Sequence, residues 1–165
     1  MNRYQERINK LRPLIKEAGL DALFINDVAN VAYFTGKKGD DCYLYISMDD
    51  AYIITDFRYQ EMAEGFKDWL KLELTKKGNN IVDILRNKPE VKIGVEKEAM
   101  TLDLFMVMNS GLKEKNFVPV SGIVEKLRKE LSKDIDLLDL KQLNGNPELL
   151  RDVLGEGIRI YVQGK

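Results

Sequence analysis

The chain has 165 residues, of which 44% are hydrophobic and 32% charged, the balance of a globular protein with a sizeable core. Lysine and arginine total 26 against 27 aspartate and glutamate residues, so no net charge attracts nucleic acid or an acidic membrane. There is no histidine, which excludes Ser-His-Asp and Cys-His catalysis and any zinc or dinuclear site built on imidazole. Catalysis would have to rest on carboxylates, lysine, tyrosine or a site completed by another chain.

The single cysteine, Cys42, excludes an internal disulfide and a thiol cluster for a metal. It stands at the start of the apolar run 42–46, which predicts a small buried core residue and not a nucleophile. The first residues carry no apolar stretch of the kind found in signal peptides, and no apolar run reaches the length of a membrane span. We therefore predict a cytoplasmic protein that binds neither membrane nor nucleic acid.

Apolar spacing and turn residues predict strands that alternate with helices along most of the chain. Such an alternation gives a sheet covered on both faces, so we predict an α/β fold with helices on both sides of the sheet. In chain order the predicted elements are a helix at 3–18, a strand at 21–25, a short helix between 27 and 36, strands at 42–47 and 51–55, a helix at 57–66, a strand at 70–74, a helix at 80–86, a strand at 92–95, a helix at 101–110, a strand at 116–119 and a helix at 122–131.

Two local features define the first half of this pattern. Asp27 is placed to cap the short second helix and Gly36 to end it, and the polar residues 36–41 that follow predict a mobile loop. Only residues 48–50 separate the strands at 42–47 and 51–55, too few for the crossover helix that parallel pairing requires. These two strands are therefore predicted to form an antiparallel hairpin.

Several stretches resemble the N-terminal domain of the creatinase, prolidase and aminopeptidase P family. They occur in the family's order and at about its spacing, and the resemblance covers residues 1 to about 130. The stretches are LDALFI (20–25), NVAYFTG (30–36), AYIITDFRY (51–59) and IGVE (93–96), with VPV (118–120) through VEKLR (124–128) resembling the end of that domain.

The resemblance implies a mixed sheet with helices on both faces, preceding a larger catalytic domain of different fold. In that family the catalytic domain binds two divalent metal ions through carboxylates and a histidine, and cleaves bonds next to proline. The resemblance stops where the catalytic domain would begin, so this chain is expected to hold no cofactor and to be inactive alone. The expected partners are the catalytic domain of the parent peptidase and a second copy of this chain. In the resulting homodimer this domain is expected to form a wall over the partner's active site that limits entry to short peptides.

The motif Asp56-Phe57-Arg58-Tyr59 has a structural interpretation. Asp56 follows a strand and can accept hydrogen bonds from the first amides of the next helix, while Arg58 can pair with Asp56 or another carboxylate. We prefer this cap and ion pair over a substrate contact, with Tyr59 part of the same motif.

If any segment of this chain reaches a substrate, we expect it to be residues 33–39, which join aromatic side chains to a predicted flexible loop. On the second helix, residues such as Asn30, Tyr33 and Phe34 more often serve the core and the cap than contact a ligand. The candidates are Tyr33, Phe34, Thr35, Gly36 and Gly39.

Beyond residue 131 the pattern changes, and we predict a domain at 1–131 followed by a strand-helix-strand tail at 132–165. Residues 132–162 resemble the C-terminal end of a minimal nucleotidyltransferase domain, where such a strand supplies an acidic metal ligand. Asp134 and Asp136 would share one face of the predicted strand and, with Asp139, are the candidate ligands. Two carboxylates alone are too few for a firm magnesium site, so a solvated polar face is the preferred interpretation.

The leading hypothesis is thus a non-catalytic assembly and gating domain from a proline-specific metallopeptidase. The alternatives are a metal-dependent nucleotidyltransferase fragment and an engineered chimeric scaffold without natural activity. The nucleotidyltransferase alternative lacks the Gly-Ser loop that holds the nucleotide phosphates in that family. The sequence also leaves open whether the tail is a natural fusion, a truncation or engineered.

Overall fold

The computed structural model describes residues 2–136, with side chains as far as residue 132. The helices in this range are α1 (Arg3–Glu17), α2 (Val28–Thr35), α3 (Gln60–Glu64), α4 (Ile81–Arg86), α5 (Leu102–Gly111) and α6 (Ile123–Asp136), with a 3₁₀ turn at Phe57–Tyr59. The strands are β1 (Ala22–Ile25), β2 (Tyr43–Ser47), β3 (Ala51–Thr55), β4 (Lys71–Leu74), β5 (Lys92–Glu96) and β6 (Asn116–Val120). They form one mixed sheet in the order β4-β3-β2-β1-β5-β6, which confirms the predicted fold class.

The centre of the sheet combines both pairing modes. β1 pairs antiparallel with β2 and parallel with β5, and all four of its residues are buried, as a strand covered on both faces requires. β2 and β3 are antiparallel, with Tyr43 opposite Ile54, so the predicted hairpin is confirmed. Its turn is closed by a hydrogen bond from the amide of Ser47 to the carbonyl of Asp50 at 2.9 Å.

The second helix begins and ends at the predicted residues. The Asp27 carboxylate accepts a hydrogen bond from the amide of Asn30 at 2.8 Å, which satisfies one of the free donors of the first turn. Gly36 follows the last helical residue with φ of 75°, the left-handed conformation that glycine adopts without steric cost. The predicted helix at 57–66 is shorter in the structure, because the 3₁₀ turn precedes α3 and α3 ends before Gly65.

Apolar side chains are buried on both faces of the sheet. Alternate strand residues such as Phe24, Tyr45 and Ile93 form a cluster with side chains of α4 and α5. The strand residues between them are equally buried, and so is the inner face of α1. The buried residues at these intervening strand positions include Leu23, Leu44 and Ile53, and those on α1 include Ile8, Leu11 and Ile15. Burying one such side chain contributes about 1.5–3 kcal/mol in gross terms, so this two-sided core dominates the stability of the domain.

The end of the described chain differs from the prediction. α6 continues to Asp136 instead of ending at residue 131, so the strand predicted to include Asp134 and Asp136 is wrong for residues 134–136. The alternation of strand side chains, which was to place both carboxylates on one face, does not apply to a helix. The nucleotidyltransferase alternative therefore loses the geometric support of this pair. Asp139 and the rest of the predicted tail lie outside the described residues.

The chain divides into two compact units, Met1–Leu127 and Arg128–Lys165. All six described strands belong to the first unit. The predicted domain limits, 1–131 and 132–165, stay a prediction. No helix within the described range is both long enough and apolar enough to span a membrane.

Candidate functional site

The segment predicted to contact a substrate, residues 33–39, covers the last turn of α2 and the chain that leaves it; we name it the exit segment. Phe34 and Thr35 are buried in the domain. The Thr35 hydroxyl donates to the carbonyl of Val31 at 2.9 Å, the position one helical turn earlier. Tyr33 is half-buried and residues 36–38 are exposed. A ligand at the exit segment would therefore meet Tyr33 and residues 36–38, while Phe34 and Thr35 pack inward.

The two glycines of the exit segment are both closely surrounded. A side chain at Gly36 would overlap the hydroxyl and ring of Tyr4, which belongs to α1. A Cβ atom at Gly39, a buried position, would lie only 2.5 Å from the sulfur of Cys42. Glycine at these positions thus lets the backbone of the exit segment lie directly against its neighbours.

Three side chains that sequence reasoning missed hold the end of α2. The Arg7 guanidinium donates to the carbonyl of Tyr33 at 2.7 Å and lies 4.1 Å from the centre of its ring. The indole N–H of Trp69 donates to the carbonyl of Phe34 at 3.2 Å. Tyr4 stacks on Trp69, with ring centres 5.5 Å apart. We name Tyr4, Arg7 and Trp69 the clamp.

The predicted cap and ion pair at Asp56 are both present. The Asp56 carboxylate accepts from the amide of Arg58 at 2.9 Å and from its Nε at 3.0 and 3.1 Å. The same guanidinium binds Asp41 and lies 5.7 Å from the ring centre of Tyr59. These hydrogen bonds from Arg58 lower the pKa of Asp56. The group is exposed, so it adds little stability, but it joins the chain before β2 to the turn after β3.

A cleft of about 670 Å³ opens beside this turn, at the ends of β3 and β4. Phe57 on its rim is 80% exposed. Apolar side chains and charges of both signs line the cleft. Its lining includes Tyr43, Leu74 and Ile81, the acidic Asp41 and Asp56, and the basic Arg58, Lys76 and Lys77. A lining that combines apolar side chains with charges of both signs suits a peptide or a protein segment better than a strongly charged small molecule.

A second cavity, of about 410 Å³, lies at the carboxyl ends of the parallel strands β1, β5 and β6. Ligands of open α/β sheets commonly bind at this edge. Four acidic residues contribute to its lining, beside apolar side chains such as Leu23. The acidic residues are Asp27, Glu96, Glu98 and Glu125.

Glu96 holds this edge of the sheet together. Its buried carboxylate accepts hydrogen bonds from the amides of Asn26 and Asp27, each at 2.9 Å, and from the side chain of Asn30 at 2.6 Å. The end of β5 is thus tied to the start of α2. Burial raises the pKa of Glu96 most, the three hydrogen bonds oppose this effect, and the nearby Asp27 charge adds to the rise. The IGVE stretch predicts the strand, but no local pattern in it indicates these distant partners.

Cys42 has the buried position predicted for it. Its sulfur lies 3.3 Å from the hydroxyl of Thr55, and burial raises the pKa of the thiol, which disfavours the reactive thiolate. Within residues 2–136 no group of three or more His, Cys, Asp or Glu side chains is placed to hold a metal ion. The described part of the chain therefore offers cleft and surface contacts to a ligand, and no metal-binding group of this kind.

The chain matches the model of the creatinase/prolidase N-terminal domain over residues 7–129. It is 32% identical over 142 residues to the uncharacterized peptidase YqhT of Bacillus subtilis (strain 168), covering 81% of this chain but only 38% of that protein. The Xaa-Pro dipeptidase from Bacillus anthracis is 28% identical, with a TM-score of 0.68 over 76% of this chain and 36% of its own.

A structure that consists of such a domain alone matches over almost its whole length. The N-terminal domain of the cytoplasmic peptidase PepQ from Mycobacterium tuberculosis H37Rv is 30% identical, with a TM-score of 0.67. The match covers 74% of this chain and 98% of that structure. Sequence and fold agree over the same region, and this chain belongs to the creatinase/prolidase N-terminal domain family, the kind of domain that Xaa-Pro peptidases carry.

Proposed function

We propose that this chain is the non-catalytic N-terminal domain of a proline-specific metallopeptidase and that it serves dimer assembly and substrate gating. The observation that carries the proposal is the family match over residues 7–129 in a chain of 165 residues without histidine. The Bacillus relatives are longer, since the matched region is 38% of one and 36% of the other. Catalysis is assigned to the further domain for which that additional length leaves room.

Cofactors and partners follow from this assignment. Two divalent metal ions belong to the catalytic domain, and this chain carries no cofactor of its own. Its partners are that catalytic domain and a second copy of itself, in the cytoplasm. The description of the Mycobacterium tuberculosis relative as a cytoplasmic peptidase supports that location.

The surface best suited to gating joins the exit segment to the turn at Asp56. Asp41 follows the exit segment by two residues, and its ion pair with Arg58 ties this part of the chain to the turn at Asp56. In the exit segment Tyr33 is half-buried and residues 36–38 are exposed, and at the turn Phe57 and the 670 Å³ cleft are accessible. A rigid scaffold that carries exposed loops and an aromatic side chain is the usual way in which a domain contributes contacts to a neighbouring active site.

Exchange of domains tests this function. Residues 7–129 of this chain would replace the corresponding domain of the Bacillus anthracis Xaa-Pro dipeptidase, and turnover of Xaa-Pro dipeptides would be compared with the parent enzyme and with its catalytic part alone. We expect the exchanged enzyme to recover activity that the isolated catalytic part lacks. A grafted enzyme that is folded, yet no more active than the catalytic part alone, contradicts the proposal. Light scattering on the unmodified chain checks the dimer separately.

A further inference from the structure

The last turn of α2 ends in carbonyl groups that the helix itself does not satisfy. The amide of Gly36 donates to Ala32, so the carbonyls of Tyr33 and Phe34 are the next acceptors at this end. Each accepts from a side chain of another element, Arg7 at 2.7 Å and Trp69 at 3.2 Å. The direction in which the chain leaves α2 is therefore fixed by donors from outside the helix.

The two donors are themselves connected. Arg7 lies on α1 and Trp69 on the turn before β4, and Tyr4 bridges them. The Tyr4 ring stacks on Trp69 with an interplanar angle of 20°, and the Arg7 guanidinium lies 5.6 Å from the centre of the same ring. A cation at the carboxyl end of a helix also interacts favourably with the helix dipole. Displacing any member of the clamp disturbs the contacts of the others.

We propose that Tyr4, Arg7 and Trp69 are positioning residues, which set the conformation in which the exit segment presents residues 36–38. The role of that segment in gating rests on the proposed function, whereas the positioning itself is a property of this chain. Gly36 fits the same arrangement, because its backbone lies against the Tyr4 hydroxyl. The clamp holds a polar stretch of chain in one conformation, and none of the clamp's own side chains contacts the ligand.

The chain contains a natural reporter of this arrangement. Trp69 is its single tryptophan, so the intrinsic fluorescence excited above the tyrosine band comes from the clamp alone. Hydrogen exchange of the backbone amides of residues 36–39 reports on the exit segment itself. Both signals are read on the unmodified full chain without ligand.

The decisive variant is Arg7→Met, which keeps the length of the side chain and removes its donors. We expect the amides of residues 36–39 to exchange about tenfold faster, as loss of a charge-assisted hydrogen bond implies, and acrylamide to quench Trp69 more strongly. Arg7→Lys keeps the charge and a donor, so it should restore part of both signals. Arg12→Met is the matched control, because Arg12 also lies on α1 and donates to a backbone carbonyl, that of Ser47 at 3.0 Å, away from the exit segment.

Trp69→Phe gives a second test by exchange alone, since it keeps an aromatic ring for Tyr4 and loses only the indole donor. The inference is overturned if both Arg7→Met and Trp69→Phe, at a measured stability that leaves them folded, exchange residues 36–39 at the wild-type rate. It is equally overturned if Arg12→Met produces the same local changes. These measurements involve no peptide and no catalytic domain, so an inactive domain graft would contradict the proposed function and leave the clamp in place.

Discussion

Gly36 shows how one residue can be required for two separable reasons. Its φ of 75° costs any other residue about 1–2 kcal/mol, and a Cβ atom would also overlap Tyr4. Gly78 has φ of 81°, but a Cβ atom there would meet no other atom within 4 Å, so this position isolates the first cost. We expect Gly36→Ala to lower the free energy of unfolding in urea clearly more than Gly78→Ala does. Equal losses would show that Tyr4 yields freely at this contact.

At the same scale, Glu96 links stability to pH. Its pKa in the folded chain is raised above the ordinary value of 4.5, mainly by burial, so folding favours the protonated form. The stabilisation is complete below the unfolded pKa and is lost as pH rises through the folded pKa. We expect the free energy of unfolding of the wild type, minus that of Glu96→Gln, to increase as pH is lowered from neutral toward about 4.5.

The subtraction is needed because Asp50 and Asp56, whose pKa values are lowered by hydrogen bonds from Lys71 and Arg58, oppose this trend in the wild type. Glu98→Gln serves as the control, since it removes an exposed carboxylate from the lining of the same cavity. Chemical denaturation across pH measures all three proteins. If this difference in the free energy of unfolding stays constant or decreases toward acid pH, the three hydrogen bonds to Glu96 lower its pKa at least as much as burial raises it.

At the scale of elements, local signals predict most of the fold. Asp27 and Gly36 delimit α2 because a cap and a left-handed glycine act within one turn of chain, and the three-residue connection fixes the β2–β3 hairpin. The end of α6 escapes prediction because a short alternation of acidic and apolar residues resembles a strand. The spacing Ile123, Leu127, Leu131, Ile135 continues the helical period through the same residues, and it is the signal that identifies the helix.

The candidate site is much less predictable than the elements that carry it. The sequence indicates the exit segment and the cap at Asp56, because each depends on residues that are neighbours in the chain. The clamp and the Glu96 contacts join positions that are 26 to 70 residues apart, and their partners are fixed only when the sheet forms. In the sequence Tyr4 is accordingly only one more apolar position of α1. A donor that meets a distant backbone carbonyl leaves no local pattern in the sequence.

At the scale of the whole molecule, the described chain is a scaffold that presents surfaces. Two of its openings, the 670 Å³ cleft and the 410 Å³ cavity, lie at ends of strands, where side chains from several elements meet. Neither contains a group of three or more metal-binding side chains placed around one point. Under the function proposed above, hydrolysis in the whole enzyme belongs to a further domain, and this domain shapes access to it.

This division of labour predicts that the purified chain does not hydrolyse Xaa-Pro dipeptides with added Mn²⁺ or Co²⁺. A metal-activated water needs a cation held by several protein ligands, and a chain without histidine lacks the imidazole on which the family's catalytic domain relies. The Bacillus anthracis Xaa-Pro dipeptidase, assayed in parallel, is the positive control for substrate and metal. Release of proline by an activity that co-elutes with the chain on size exclusion and stops on adding a chelator would refute the assignment, since a catalytic centre would then lie within these 165 residues.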